Sequence, residues 1–315
     1  MKLRTPFLLV VLALLLALVP LANAQDFGLS PEDMALLTEQ DTNFNSIAAN
    51  LSLSLSTTGS DQDVNIQLNG SANFGTDAND MPTGQATING TVTVPTEDVP
   101  PINAEVRIVD GILYYNYAGA GWQGMALTDL VSSLSSMSPV PINPSDLASG
   151  DLSNDPQAMQ AMGDIMNAFS NVDPTEFVSI SRLDDMNGQA HFQIAIDIQS
   201  FMSSDAFTSL LTAAASASGD STSSDQMAQM APMFAMMLQN PSLTIDQYIS
   251  PDDHRLRHFE VNLSFTVDPS MFGGDSSAQP VDVAFNLTID GIDYDQPVMV
   301  EAPADATVMP SMSGQ

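Results

Sequence analysis

The chain contains no cysteine, and its one lysine is Lys2. Without cysteine there is no disulfide framework and no thiolate for catalysis or metal binding, whatever the compartment. Lipid attachment at a cysteine just past a signal peptide is excluded as well, because Ala24-Gln25 stands at that place. Basic residues are scarce throughout, six against 38 acidic ones, for a formal charge of −32. Such a field repels nucleic acid and anionic headgroups, and it favours solubility in a harsh or salty medium.

Long apolar runs are missing too, except at the N-terminus. There Lys2 and Arg4 precede the apolar stretch from Phe7 to Val19, Pro20 breaks it, and Ala22-Asn23-Ala24 follows. A positive region, a short apolar core and a small-x-small site predict a secretory signal peptide over residues 1–24. No later segment approaches the ~20 apolar residues of a membrane span. The expectation is therefore a soluble extracytoplasmic chain, periplasmic or exterior, beginning at Gln25 and without a stable membrane anchor. Asn50, Asn69, Asn89, Asn262 and Asn286 each open an N-x-Ser/Thr sequon, relevant only in a host that glycosylates secreted proteins.

What is present is alternation. Leu51, Leu53 and Leu55 alternate with serines; Val64, Ile66 and Leu68 with Asn65, Gln67 and Asn69; Ala86, Ile88, Val92 and Val94 with Thr and Asn. The pattern returns in Phe192, Ile194, Ile196 and Ile198, in Phe259 to Val267, and in Val281 to Ile289. Period 2 means one dry and one wet face, the mark of an antiparallel sheet covered on one side. Asp110-Gly111, Asn187-Gly188 and Asp290-Gly291 read as hairpin turns, and Tyr294 to Val300 as the strand closing the sheet.

Helical signals lie between these blocks. Ser30-Pro31-Glu32-Asp33 starts a helix whose stripe of Met34, Leu36, Leu37 and Ile47 carries it toward Asn50. Leu127 to Met137 has helical spacing, and a helix from Pro156 carries Met159, Met162, Ile165, Met166 and Phe169. A further block runs over Met202 to Ala217, then Asp225 to Leu238, where Pro232 kinks it. The order predicts an α+β fold with helices gathered on the apolar face of one antiparallel sheet. One domain over 25–304 and a flexible tail over 305–315 complete the layout.

The stretches AEVRIVDGILYYNYAGAGWQGM, LTIDQYISPDDHRLRHFEVNLSF and VEAPADA resemble the LolA/LprG-like envelope lipoprotein superfamily. The resemblance covers roughly Ser46 to Ala304 and departs from many members in the absent lipid-attachment cysteine. It implies a single curved antiparallel half-barrel whose concave apolar face is plugged by helices. A hydrophobic cavity that carries acyl chains is implied between the two.

No catalytic constellation is apparent. Nucleophile elbow, P-loop and H-E-x-x-H are lacking. His254 and His258 stand four apart, but on a strand that separates them by about 13 Å, too far to share a metal. Asp290, Asp293 and Asp295 lack the spacing of a calcium loop. The methionines allow three readings: core packing, a plastic lipid-facing surface, or Cu(I) binding by thioethers. The expectation is a non-enzymatic carrier for a lipid or other hydrophobic molecule, without cofactor or metal. Its candidate ligand residues are Phe192, Ile194, Phe259, Val261, Phe285, Met227, Met230, Met233, Met237, Met162 and Met166, with Pro232 as the hinge of a lid. The alternatives are an envelope structural module that meets a protein partner with its cavity filled, and Cu(I) handling through the Met-rich helices.

Overall fold

The structure, a computed structural model, describes residues 27–59, 63–77, 81–95, 97–130, 173–204, 207, 238–268 and 279–309. The alternating segments become twelve strands of one sheet. They are β1 (Ser46–Thr58), β2 (Val64–Thr76), β3 (Pro82–Thr93), β4 (Ile102–Val109), β5 (Ile112–Tyr117), β6 (Gln123–Ala126), β7 (Val178–Met186), β8 (Gln189–Ile196), β9 (Leu238–Ile249), β10 (Leu256–Val267), β11 (Val281–Tyr294) and β12 (Thr307–Val308). Across the sheet they run β12-β6-β5-β4-β3-β2-β1-β11-β10-β9-β8-β7. Two meanders, β1–β6 and β7–β11, thus meet at their long strands, β1 against β11. Every pairing is antiparallel except that of β12 with β6.

The α+β half-barrel with a helical layer is corrected by this arrangement. The fold is mainly β and the sheet is mixed. Among the described residues the helices are α1 (Pro31–Thr38), a single 3-10 turn at Pro174–Glu176 and α2 (Ile198–Ser203), together with helical residues 127–130, where the helix expected from Leu127 begins, and 207. α1 starts as its sequence dictates: Ser30 Oγ accepts from Asp33 N at 3.1 Å, with Pro31 in the first turn. It stops at Thr38 rather than running on to Ile47, because Ile47 is paired on both sides, with Phe74 and with Tyr294. Two ladders of backbone hydrogen bonds outweigh weak helical propensity there. Ile198 leaves the strand pattern because Asp197 caps α2, accepting from Ser200 N at 3.0 Å. Leu238 opens β9 instead of ending a helix. The signal-peptide segment and most of the expected mid-chain helices, Pro232 included, lie outside the described residues.

Turn chemistry divides the three Asx-Gly pairs. Asp110-Gly111 and Asn187-Gly188 have positive φ at both residues, 52° and 72°, 55° and 77°. They form the two-residue turns of hairpins β4–β5 and β7–β8. Asp290-Gly291 does not turn. It lies inside β11, opposite the register shift between Ala48 and Asn50, where the strand carries a bulge. The expected strand from Tyr294 to Val300 is instead the beginning of a strap, residues 295–306, that crosses one end of the sheet. Ser46 Oγ donates to Gln296 O at 2.6 Å, Arg107 to Glu301 O at 3.1 Å, and Thr307 N to Trp122 O at 3.0 Å. Part of the expected tail then becomes β12.

Directly paired residues point to one side of a sheet, so the registers define its faces. Ile180, Ile194, Ile245, Val261, Leu287, Leu53, Leu68, Gly90 and Ile102 stand side by side across nine strands, β7 to β4. One residue along, on the opposite face, stand Gln193, Asp246, Glu260, Thr288, Ser52, Asn69, Asn89 and Asn103. One face is a continuous apolar wall. The other is a field of carboxamides, hydroxyls and acids.

Candidate functional site

Among the described residues the side chains that seal the apolar wall gather at one end. Over β7–β10 it is closed by Leu36 and Leu37 of α1, by Ile198, Phe201 and Met202 of α2, and by Phe177, Phe207 and Leu238, all buried in one cluster. Phe201 is its keystone, with ring centroids 5.0 Å from Phe177 and 5.4 Å from Phe207. α1 is held over this face by Arg182, whose Nε donates to Asp33 at 3.1 Å, and by Gln40, whose amide donates to Gln247 at 3.3 Å.

Exposure changes along the row. Ile194 is 8% exposed, Ile245 0% and Val261 5%. From β11 onward Leu287, Leu53, Leu68 and Ile102 are only half-buried, as are Leu51, Leu55, Val64, Ile66, Ile88 and Val92. Among the described residues the covering side chains therefore stop at β11, while the wall continues across β1 to β4.

Glycines keep this uncovered part low. Gly90 lies opposite Leu68, and Gly84 opposite Phe74. A Cβ on Gly90 would overlap Leu68, and one on Gly84 would overlap the Phe74 ring. Each large side chain thus lies down across its neighbouring strand instead of standing off the sheet, which packs bare backbone under apolar atoms.

The structure brings five of the candidate residues together. Phe192, Ile194 and Val261 belong to the buried cluster, while Phe259 and Phe285 are partly buried against its margin. Phe192 is fully buried, so it is core, whereas Phe285 stands where the cover ends. Met162, Met166, Met227, Met230, Met233 and Met237 lie outside the described residues. Reading residue by residue missed the leucines and isoleucines of β1 and β2. The signal for them is their alternation, but only the register shows that they extend the same wall as Phe192.

A second feature the sequence did not show is on the polar face. His191 stacks on Tyr248 with centroids 4.1 Å apart and planes 12° apart, and Tyr248 meets His258 edge-on at 4.8 Å. Asp246 is buried beside them, 2.8 Å from His191 Nε2 and accepting from Gln193 at 3.2 Å. Burial pushes the Tyr248 phenol up, helped by the charges of Asp246 and Glu260. These residues are neighbours on β8, β9 and β10, so their side chains tie three strands together. Among the described residues no group of three His, Cys, Asp or Glu side chains converges to hold a metal.

Of the three acids near the end of β11, Asp293 accepts from Tyr294 N at 2.9 Å, and Asp295 makes the longer-range bonds. Its carboxylate accepts from Asn45 N at 2.8 Å and from Arg255 at 2.6 Å, and these bonds hold it below the usual carboxylate range. Arg255 also reaches Asp41 at 2.9 Å, and Asp41 is lowered by the Asn43 backbone N–H and by that guanidinium. Residues 39–45 are pinned in this way to the turn between β9 and β10. They carry α1 to its place on the wall.

Neither a family model nor a curated protein sequence matches the chain. Among solved structures, one described as lipid–protein interactions in lipovitellin matches at 7% identity and a TM-score of 0.32. The match covers 84% of this chain and 27% of that one, so the chain spans about a quarter of the lipovitellin chain. A DUF1329 family protein from Desulfovibrio piger matches at 9% identity over 85% of this chain and 93% of that one, with a TM-score of 0.22. A β-barrel-like protein of the domain of unknown function DUF1849 from Brucella abortus matches at 7% identity over 81% and 100%, with a TM-score of 0.14. None of these three is described as LolA/LprG-like.

Proposed function

We propose that this chain is a secreted, non-enzymatic carrier that binds a lipid or similar hydrophobic molecule in the cell envelope. A single observation carries the reading. One row of apolar positions, with Gly90 among them, runs over nine strands; among the described residues it is sealed over β7–β10 and half-buried from Leu287 to Ile102. A protein that needed this wall only for its own core would cover it to the end, since uncovered apolar area of this extent is a liability in water.

The mechanism is passive. An acyl chain laid on β11, β1 and β2 removes apolar surface of both partners from water. Burial of about 300 Å² is on the order of 7 kcal/mol before the costs of association. The low profile that Gly90 and Gly84 give the wall lets a flexible chain lie flat on it. The signal-peptide pattern supplies the compartment.

The test is native mass spectrometry of the chain purified from its own host, together with titration of the neutral dye Nile red. We expect copurified apolar molecules and saturable dye binding that Leu53→Ser and Leu68→Ser weaken together. Absence of any bound lipid, joined to absence of dye binding, removes the reading.

A further inference from the structure

We infer that the ligand of this wall is uncharged or cationic at its polar end and carries neither carboxylate nor phosphate. The inference rests on the carrier reading and narrows its ligand class. Its basis is where the chain's strong cations sit. Beyond residues 1–24 these are four arginines, with no lysine, against 38 acids.

Each of the four is committed twice, to a carboxylate and to an aromatic face. Arg107 is 2.6 Å from Glu105 and lies 4.8 Å from the centre of the Trp122 ring. Arg182 bonds Asp33 and Asp185 and covers Phe192 at 5.2 Å. Arg255 bonds Asp41 and Asp295, and Arg257 bonds Asp253. These two approach Tyr294 at 5.1 and 5.4 Å. A guanidinium held between a carboxylate and a ring is neutralised, and many of its donors are spent.

None of the four occupies a wall-facing position of β11, β1, β2 or β3, and the two nearest, Arg255 and Arg257, are spent on carboxylates and on the Tyr294 ring at the end of β11. The wall-facing positions of β11, β1, β2 and β3 are aliphatic residues, phenylalanine, glycine or threonine, with Tyr294 at the end of β11. A ligand lying along these strands places its head near one end of them. The acids there include Asp63 and Asp282 at one end, and Asp110 at the hairpin of β4 and β5 beyond the other. An anionic head would enter a field of its own sign with no free guanidinium to meet it. Potentials of several kT over a surface this charged weaken its binding by about tenfold or more.

The mature chain can be tested with dodecan-1-ol, dodecanoate and dodecyltrimethylammonium, which share one alkyl chain and differ only in head charge. Each competes with Nile red at a pH well above the ordinary imidazole range. We expect the alcohol and the ammonium to displace the dye, and dodecanoate to need about tenfold more at low salt. That gap should narrow as salt screens the field. Dodecanoate binding as tightly as the alcohol at low salt overturns the inference while leaving the carrier standing. Failure of the dye and all three competitors to bind removes the carrier reading, and the inference with it.

Discussion

Arg255 reaches Asp295 across 2.6 Å, joining the turn that precedes β10 to the residue just past the end of β11. The same guanidinium holds Asp41, so one side chain fixes the segment leading from α1 into β1. Arg255→Gln should therefore raise the titration of both Asp41 and Asp295 toward ordinary carboxylate values. Carboxyl-detected NMR on the variant would check this, and unchanged midpoints would show that the backbone donors from Asn43 and Asn45 suffice alone.

Acid should loosen this region together with the caps of the 3-10 turn and of α2. Asp41, Asp173, Asp197 and Asp295 are all lowered in the folded chain, chiefly by hydrogen bonds: the Asn43 backbone N–H for Asp41, Thr175 for Asp173, the Ser200 backbone N–H for Asp197 and the Asn45 backbone N–H for Asp295. A depressed carboxylate contributes stability that is fully present above its unfolded value, 3.8 here, and is lost as pH falls through its folded one. Urea midpoints should thus fall below the ordinary carboxylate range. The slope should be shallower in Asp295→Asn. Repeating the series at high salt separates these local bonds from relief of the chain's overall repulsion.

Stability and binding should separate along the wall. Phe192→Ala removes a fully buried ring from the sealed end and should cost about 3–5 kcal/mol. Leu53→Ala, on the uncovered part, should cost about 1 kcal/mol or less while weakening Nile red binding. Chemical denaturation and dye titration of both variants would settle this. Equal destabilisation would mean that the wall is core throughout.

Gly90→Ala should destabilise by about 1–3 kcal/mol, because the new methyl collides with Leu68 and with the backbone of β2. The double variant with Leu68→Ala should recover part of that loss. Additive effects in a denaturation cycle would contradict the contact.

Much of the sheet is legible in the sequence. The alternation of Leu51-Leu53-Leu55 and of Phe259-Val261-Leu263 names the strands, and Asp110-Gly111 and Asn187-Gly188 name two hairpins. Asp290-Gly291 misleads because a bulge and a turn ask for the same positive φ, and only the partner strand decides between them. The stripe Leu36-Leu37-Ile47 misleads as a helix because its last member is claimed by two neighbouring strands. The extent of the wall was hidden for another reason. It depends on which strand lies beside which, and β1 meets β11 across most of the chain's length.

That central seam governs how the molecule can be made. β1 appears early in synthesis and waits with an unpaired edge until β11, nearly the last strand, arrives. The two meanders cannot join before the C-terminal part is available, so the middle of the sheet zips late and slowly. A chain cut short of Val281 would keep two long open edges beside a greasy surface, a template for aggregation rather than a smaller working protein.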